Sequence, residues 1–182
     1  MYGMVNKAIR DLIVEGFGEP CWIEIADHVG VDHHFISMQG YDDKVTYDLV
    51  SRASELLDVP SDELLRQFGS YWIRFTASEG YGSLISLFGE TLGEFLEHLG
   101  NDLHARVALT LPDLQPPEFH TEKLSESLFR VHYSSHRVGL KPMVHGLLEG
   151  LALRFDENVE VTHIESVKGE VVGEVFEIQI LS

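Results

Sequence analysis

Apolar residues in the first two thirds of the chain repeat at the spacing of amphipathic helices. In the first stretch they occur at i, i+3, i+4, i+7 and i+8, which lines one face of a helix. These residues are Val5, Ala8, Ile9, Leu12 and Ile13. Similar patterns predict helices over residues 22–29 and 42–57, and another helix from residue 61 onward.

Two of the later helices have recognisable starts. Ser61 follows Pro60 and precedes two acids, so it is predicted to cap the fourth helix. Thr91 and Glu94 have the spacing of a capping box, and they predict a long helix whose apolar positions continue to Val107. Prolines at positions 112, 116 and 117 end that helix and predict an extended connector after it.

The last third of the chain changes to the alternation typical of strands. Strands are predicted over residues 127–135, 159–167 and 171–181, with a helix over residues 142–155. The predicted fold class is α+β: an N-terminal helical lobe packs on a C-terminal lobe with an antiparallel sheet and a helix inserted between strands. At 182 residues the chain is expected to form a single domain.

The charge of the chain narrows its range of partners. Thirteen Lys and Arg against thirty Asp and Glu give a formal net charge of −17. Such a field repels phosphate backbones and anionic lipids, so nucleic-acid and membrane partners are not expected, whereas a small neutral ligand is unaffected. No apolar run approaches the roughly 20 residues that span a bilayer, and no signal-peptide profile is visible, so a soluble, cytoplasmic domain is expected. Cys21 is the only cysteine, which excludes a disulfide within the chain and a cysteine-cluster metal site.

One of the ten histidines, His104, borders the apolar stripe of the long helix. A buried imidazole needs a partner. A hydrogen bond to a carbonyl and coordination of a metal are both open, and the spacing alone favours the carbonyl. His28, His33 and His34 lie beside two aspartates, but neighbouring histidines in one loop rarely converge on a single ion.

A second candidate site lies at the end of the first predicted strand. Alternation places Tyr133, Ser135 and Arg137 on one face, where two hydroxyls and a guanidinium suit a carboxylate ligand. A solvated arginine at a sheet edge remains equally open. The sequence contains no nucleophile elbow, P-loop, dinucleotide fingerprint or HExxH motif, so the chain is not expected to be an enzyme.

With these residues in this order, the chain resembles the haem-nitric oxide/oxygen binding (H-NOX) family, bacterial relatives of the haem domain of soluble guanylate cyclase. Its overall look is closest to cyanobacterial members. The resemblance covers essentially the whole chain. It runs through Met1-Tyr2-Gly3, Val5-Asn6, Tyr47-Asp48-Leu49-Val50, Gly80-Tyr81, Leu103-His104-Ala105-Arg106-Val107, Pro116-Pro117, Tyr133-x-Ser135-x-Arg137 and Pro142-Met143-Val144.

The resemblance implies that haem b (iron protoporphyrin IX) is the cofactor and that His104 is the proximal ligand of its iron. It also implies that Tyr133, Ser135 and Arg137 hold the haem propionates, and that Pro117 packs against the haem and helps to bend it. The carbonyl interpretation of His104 then gives way to a metal ligand. The haem is expected between a distal helical lobe, about residues 1–60, and a proximal lobe, about residues 61–182.

On the distal side, relatives that bind dioxygen stably use a tyrosine, and Met143 stands at the matching position. Methionine has no O–H donor. Leu147 and Val5 are expected to close the pocket. Trp72 matches a distal tryptophan, and a packing role and a hydrogen bond from its indole to a bound ligand are equally open.

These features predict a sensor of nitric oxide and CO, with weak or no binding of O₂, at a five-coordinate ferrous haem. NO weakens the bond trans to itself, so release of His104 and flattening of the haem are expected to shift the two lobes. A histidine kinase or a cyclic-dinucleotide enzyme is the partner that the family suggests. Two alternatives stay open: an oxygen-binding or redox-active haem protein that uses Trp72, and a haem-independent interaction module.

Overall fold

A computed structural model describes residues 1–82, 86–99, 115–167 and 171–181 of the chain. Four helices come first: α1 (Gly3–Phe17), α2 (Glu19–Val29), α3 (Asp43–Leu57) and α4 (Ser61–Thr76). A π-helical turn (Ala77–Tyr81) follows α4, and the predicted long helix is described over α5 (Leu92–His98). None of the helices in these ranges is both long and apolar enough to cross a bilayer.

The C-terminal part contains a four-stranded antiparallel sheet. Its strands are β1 (Glu118–Lys123), β2 (Leu128–Ser135), β3 (Val159–Val167) and β4 (Val172–Ile180), in the spatial order β1-β2-β4-β3. Helix α6 (Lys141–Arg154) lies between β2 and β3 in the sequence. The predicted α+β class, with a helix inserted between strands, is confirmed.

Part of the predicted connector is a strand, β1, so the sheet has four strands where the sequence predicted three. β1 pairs with β2 along its whole length, with Phe119 opposite Tyr133. It is an edge strand, and Phe119 is its only buried side chain. The apolar alternation that identifies a strand in a sequence is therefore nearly absent from it.

The two predicted helix caps have different outcomes. Ser61 is not a cap: it is the first residue of α4, Pro60 takes the cap position, and no side chain there accepts a hydrogen bond. Thr91 is a cap, since its hydroxyl accepts a hydrogen bond from the Glu94 amide at 3.2 Å. The carboxylate of Glu94 accepts from the Glu90 amide at 2.8 Å, so the reciprocal bond of a capping box is not made to Thr91.

The described residues form two hydrophobic cores. The N-terminal core joins α1 to α4, and the sheet core joins α5, α6 and the inner face of the sheet. Trp22 is fully buried in the N-terminal core, and Phe176 is fully buried in the sheet core. Trp72 packs against both cores, so α4 connects them.

Helices α4 and α6 approach each other backbone to backbone along what we call the α4–α6 seam, formed by Arg66, Gly69, Met143, Gly146 and Gly150. A Cβ added to Gly146 would lie 1.8 Å from the Arg66 carbonyl oxygen. A Cβ added to Gly69 would lie 2.0 Å from the Met143 carbonyl oxygen. Only glycine permits this separation. The seam therefore sets the distance between the two helices.

Candidate functional site

A cavity of about 270 Å³ lies where the two cores meet. Its walls come from α1, α3, α4, α5, residues 115–117, β1, β2 and α6. Eight of the nine residues predicted for the site line this one cavity: Val5, Trp72, Pro117, Tyr133, Ser135, Arg137, Met143 and Leu147. The ninth, His104, lies outside the described residues.

One wall of the cavity is apolar. Met143 and Leu147 are four residues apart on α6 and so share a face, and Val5 contributes from α1. Trp72 extends from α4, where its ring packs against Phe68 and Phe75, with centroids 6.0 and 5.8 Å away. Because Trp72 and Met143 stand on the two helices of the seam, close backbone contact fixes their relative position.

Another part of the cavity lining is polar, and we call it the polar end. Tyr133 and Ser135 are both buried on the inner face of β2, as the alternation predicts. Arg137 lies two residues beyond the strand, and its amide donates a hydrogen bond to the Ser135 hydroxyl at 3.1 Å. All three residues line the cavity.

The Arg137 guanidinium has partners that the sequence analysis missed. Its Nε donates to the Asp43 carboxylate at 2.8 Å, and its Nη1 donates to the Gln115 carbonyl oxygen at 2.9 Å. Asp43 stands at the start of α3 and also accepts a hydrogen bond from the α-amino group of Met1. Ninety-four positions separate Asp43 from Arg137, so no local pattern could have indicated the pair.

The ionisation of Asp43 follows from these contacts. Burial alone would raise the pKa of its carboxyl group, but hydrogen bonds and charge from the Met1 amine and Arg137 outweigh burial and lower that pKa below its ordinary value. Asp43 is therefore an anion that holds Arg137 in place. One turn further along α3, the Tyr47 hydroxyl donates to the Val138 carbonyl oxygen at 2.9 Å, so α3 is tied to the segment after β2 at two points.

Tyr133 is placed to act as a donor. Burial, the largest influence, raises the pKa of its phenol above the ordinary value, although Ser135 and Arg137 oppose the shift. The hydroxyl therefore stays protonated at neutral pH and can donate to a carboxylate.

These residues suit a flat, largely apolar group with carboxylates on one edge, which is the chemistry of haem. The apolar wall matches the porphyrin face, and the two hydroxyls and the guanidinium match its propionates. Asp43 and Gln115 engage only part of the guanidinium, which has five N–H donors, so Arg137 retains donors for a further carboxylate. No described residue lining the cavity is a histidine, and His104 remains the candidate for the iron.

His33 and His34, beyond the end of α2, each contact an aspartate. His33 Nε2 contacts Asp27 Oδ1 at 2.6 Å, and the His34 ring reaches only Asp32. Within the described ranges, no group of three or more His, Cys, Asp or Glu side chains is arranged to hold a metal ion.

The chain is similar to domains of soluble guanylate cyclases. It is 29% identical over 153 residues to soluble guanylate cyclase gcy-31 of Caenorhabditis elegans, covering 84% of this chain and 22% of that protein. It is 33% identical over 94 residues to guanylate cyclase soluble subunit beta-2 of Rattus norvegicus, covering 52% of this chain and 14% of that protein. The chain thus spans a quarter or less of these relatives.

Solved H-NOX structures share the fold over the whole chain. An oxygen-binding H-NOX domain related to soluble guanylate cyclases, in its oxygen complex, superposes with a TM-score of 0.87 at 18% identity, covering 100% of this chain and 96% of that one. An H-NOX structure determined to examine the mechanism of H-NOX activation gives a TM-score of 0.90 at 19% identity, covering 100% and 97%. A family model described as haem-NO-binding matches residues 2–163, and the chain therefore belongs to the haem-NO-binding (H-NOX) family.

Proposed function

We propose that the chain is a haem-based gas sensor that binds nitric oxide and CO at a ferrous haem b ligated by His104. The observation that carries the proposal is the convergence of eight predicted residues, from five separate parts of the sequence, on one cavity between the two cores. When bound, the haem supplies a metal that coordinates a diatomic gas.

The chain's own residues would divide the remaining work. Tyr133, Ser135 and Arg137 would hold the propionates, while Pro117 and Leu147 would contact the porphyrin. His104 would carry the signal, because as a ligand of the metal it would join the gas site directly to the polypeptide. The contacts of Asp43 and Tyr47 with the segment after β2 give movement at the polar end a route into the helical lobe.

The apolar wall supports the preference for NO over O₂. Met143 lines the cavity, and by the family resemblance it matches the position of a tyrosine in oxygen-binding members. A thioether donates no hydrogen bond to bound dioxygen. NO binds ferrous iron tightly without such a donor. The output would pass to a separate signalling enzyme in the cytoplasm, such as a histidine kinase or a cyclic-dinucleotide enzyme. In this proposal the distal lobe comprises about residues 1–60 and the proximal lobe about residues 61–182.

Absorption spectra of the reduced protein with NO, CO and air test this proposal. Shifted Soret bands with NO and CO, and no stable oxy band in air, are expected. His104→Gly should lose its haem and regain it when imidazole is supplied, whereas the exposed His34→Gly should behave as wild type. Haem binding that is unchanged in His104→Gly would show that another residue is the ligand.

A second candidate is an oxygen-binding or redox-active haem protein, favoured by the position of the Trp72 indole in the cavity wall. A stable oxy band in air that disappears in Trp72→Phe would establish it. Purification without Soret absorbance, even after haem supplementation, would instead favour an interaction module that works without haem.

A further inference from the structure

Three aromatic rings on α4 form a continuous stack that leads away from the cavity. The Trp72 ring, in the cavity wall, stacks on Phe75 with centroids 5.8 Å apart and planes 27° apart. Phe75 stacks in turn on Tyr71, with centroids 6.2 Å apart and planes 29° apart. The spacing of three and four residues along a helix places these rings on neighbouring positions of one surface.

At its outer end, the stack of aromatic rings meets polar and charged side chains. The Tyr71 hydroxyl donates a hydrogen bond to Glu15 Oε1 at 3.0 Å, and the Arg74 guanidinium binds Glu15 Oε2 at 2.6 Å. Tyr71 is 8% exposed, but the side chains of Glu15 and Arg74 are mostly exposed. The stack therefore begins at the cavity and ends just beneath a charged pair at the surface.

Packing alone does not require this arrangement. A phenylalanine at position 71 would fill the same volume, whereas the hydroxyl needs the carboxylate of Glu15 as its acceptor. Burial and the Glu15 hydrogen bond raise the pKa of Tyr71 to about 12, so the phenol keeps its proton at neutral pH. A protonated phenol that faces a carboxylate within hydrogen-bond reach can lose an electron only if its proton moves, and Glu15 is positioned to take that proton.

We propose that Trp72, Phe75 and Tyr71 form a relay that carries an oxidising equivalent from the haem site to Tyr71, with Glu15 as the proton acceptor. The inference rests on the proposed haem binding and adds a redox role to it. The oxidant is hydrogen peroxide reacting at the ferric haem, and Tyr71 is the electron donor.

The step is balanced in electrons and protons. Cleavage of the O–O bond of the peroxide takes up two electrons; both peroxide hydrogens leave with one oxygen atom as water, and the other oxygen atom would be retained at the haem site. Bound haem would supply the chemistry of this cleavage and one of the two electrons. Tyr71 supplies the other through Phe75 and Trp72, and its phenolic proton passes to Glu15, which leaves a neutral tyrosyl radical at position 71.

The test is an electron paramagnetic resonance spectrum of ferric, haem-loaded protein that is frozen soon after peroxide is added. A tyrosyl signal that narrows when the protein contains ring-deuterated tyrosine is expected in the wild type. Tyr71→Phe should abolish it, and Glu15→Gln should slow its appearance by about a hundredfold, as expected on removal of a proton acceptor. Trp72→Phe should lower its yield, and Tyr41→Phe, at a partly buried tyrosine between α2 and α3, should leave it unchanged.

A second measurement locates the radical chemically. A nitroso spin trap followed by proteolysis and mass spectrometry should place the adduct on the peptide that contains Tyr71. A normal Soret band together with a tyrosyl signal that survives Tyr71→Phe would overturn the relay and leave haem binding intact. Failure of the protein to take up haem would overturn both.

Discussion

The two ends of the cavity are held in place by different kinds of interaction. The apolar wall depends on the α4–α6 seam, where glycines let two backbones touch. The polar end depends on charges that join distant parts of the chain, with Arg137 between Asp43 and Gln115. Close packing is short-ranged and indifferent to pH, whereas ion pairs respond to both pH and salt. Mutations should therefore be able to change the shape of the cavity without changing its affinity for carboxylates, and the reverse.

The largest effect is expected at the seam. In Gly146→Ala the new Cβ would lie 1.8 Å from the Arg66 carbonyl oxygen, so the helices must separate. We expect a loss of about 3 kcal/mol in the free energy of unfolding, as for overpacking against rigid backbone. Urea unfolding of the variant measures it.

The matched control is Gly16→Ala in α1, where an added Cβ meets nothing within 4 Å. That variant should be as stable as the wild type or slightly more so, since alanine favours helix. Equal stability of the two variants would contradict the close contact at the seam.

The next effect concerns the polar end. Arg137→Ala removes the guanidinium that is proposed to bind a propionate, and the loss of one charged hydrogen-bond partner costs about 2 kcal/mol. Haem should dissociate faster to a scavenging apoprotein, while the axial ligation reported by the spectrum stays the same. Arg130→Ala, which breaks an ion pair between Arg130 on β2 and Glu177 on β4, should leave haem release unchanged.

A smaller effect is expected from adding a donor to the apolar wall. Met143→Tyr would place a hydroxyl where the wild type has a thioether, and one hydrogen bond to bound O₂ contributes about 1 kcal/mol. An oxy band in air should then become detectable. Met143→Phe adds a ring without the hydroxyl, and an oxy band of equal stability in that variant would argue that volume, not donation, limits O₂ binding.

The smallest effect is a pH dependence at Asp43. Its pKa in the folded protein is below the ordinary value of 3.8, so its ion pairs stabilise the protein above that pH and are lost as the pH falls through the folded pKa. The stability difference between the wild type and Asp43→Asn should therefore shrink as the pH is lowered past 3.8. Urea unfolding across this range measures the difference. A difference that stays constant across this range would contradict the ion pairs of Asp43.

Interactions within short stretches were predictable from the sequence. The helix faces, the Thr91 cap and the inward alternation of Tyr133 and Ser135 all depend on residues a few positions apart. The resemblance to a family supplied what spacing could not: it brought Val5, Trp72 and Met143 into one site, although nothing local relates them.

The features that the sequence did not reveal are long-range or weakly patterned. The edge strand β1 buries only Phe119, so it lacks a hydrophobic alternation. The pairing of Arg137 with Asp43 and the backbone contact at Gly146 depend on how distant helices dock. The glycines of the seam fall inside predicted helices, but nothing in the sequence indicates which helix each of them contacts.

The α4–α6 seam has a consequence for changing the site by design. Because the helices already touch through their backbones, they cannot move closer when a neighbouring side chain is made smaller. Volume removed at Trp72 or Met143 should therefore appear as free space for a ligand, almost atom for atom. These two residues would then determine which sizes of gas the site accepts, because the surrounding helices would move little to compensate.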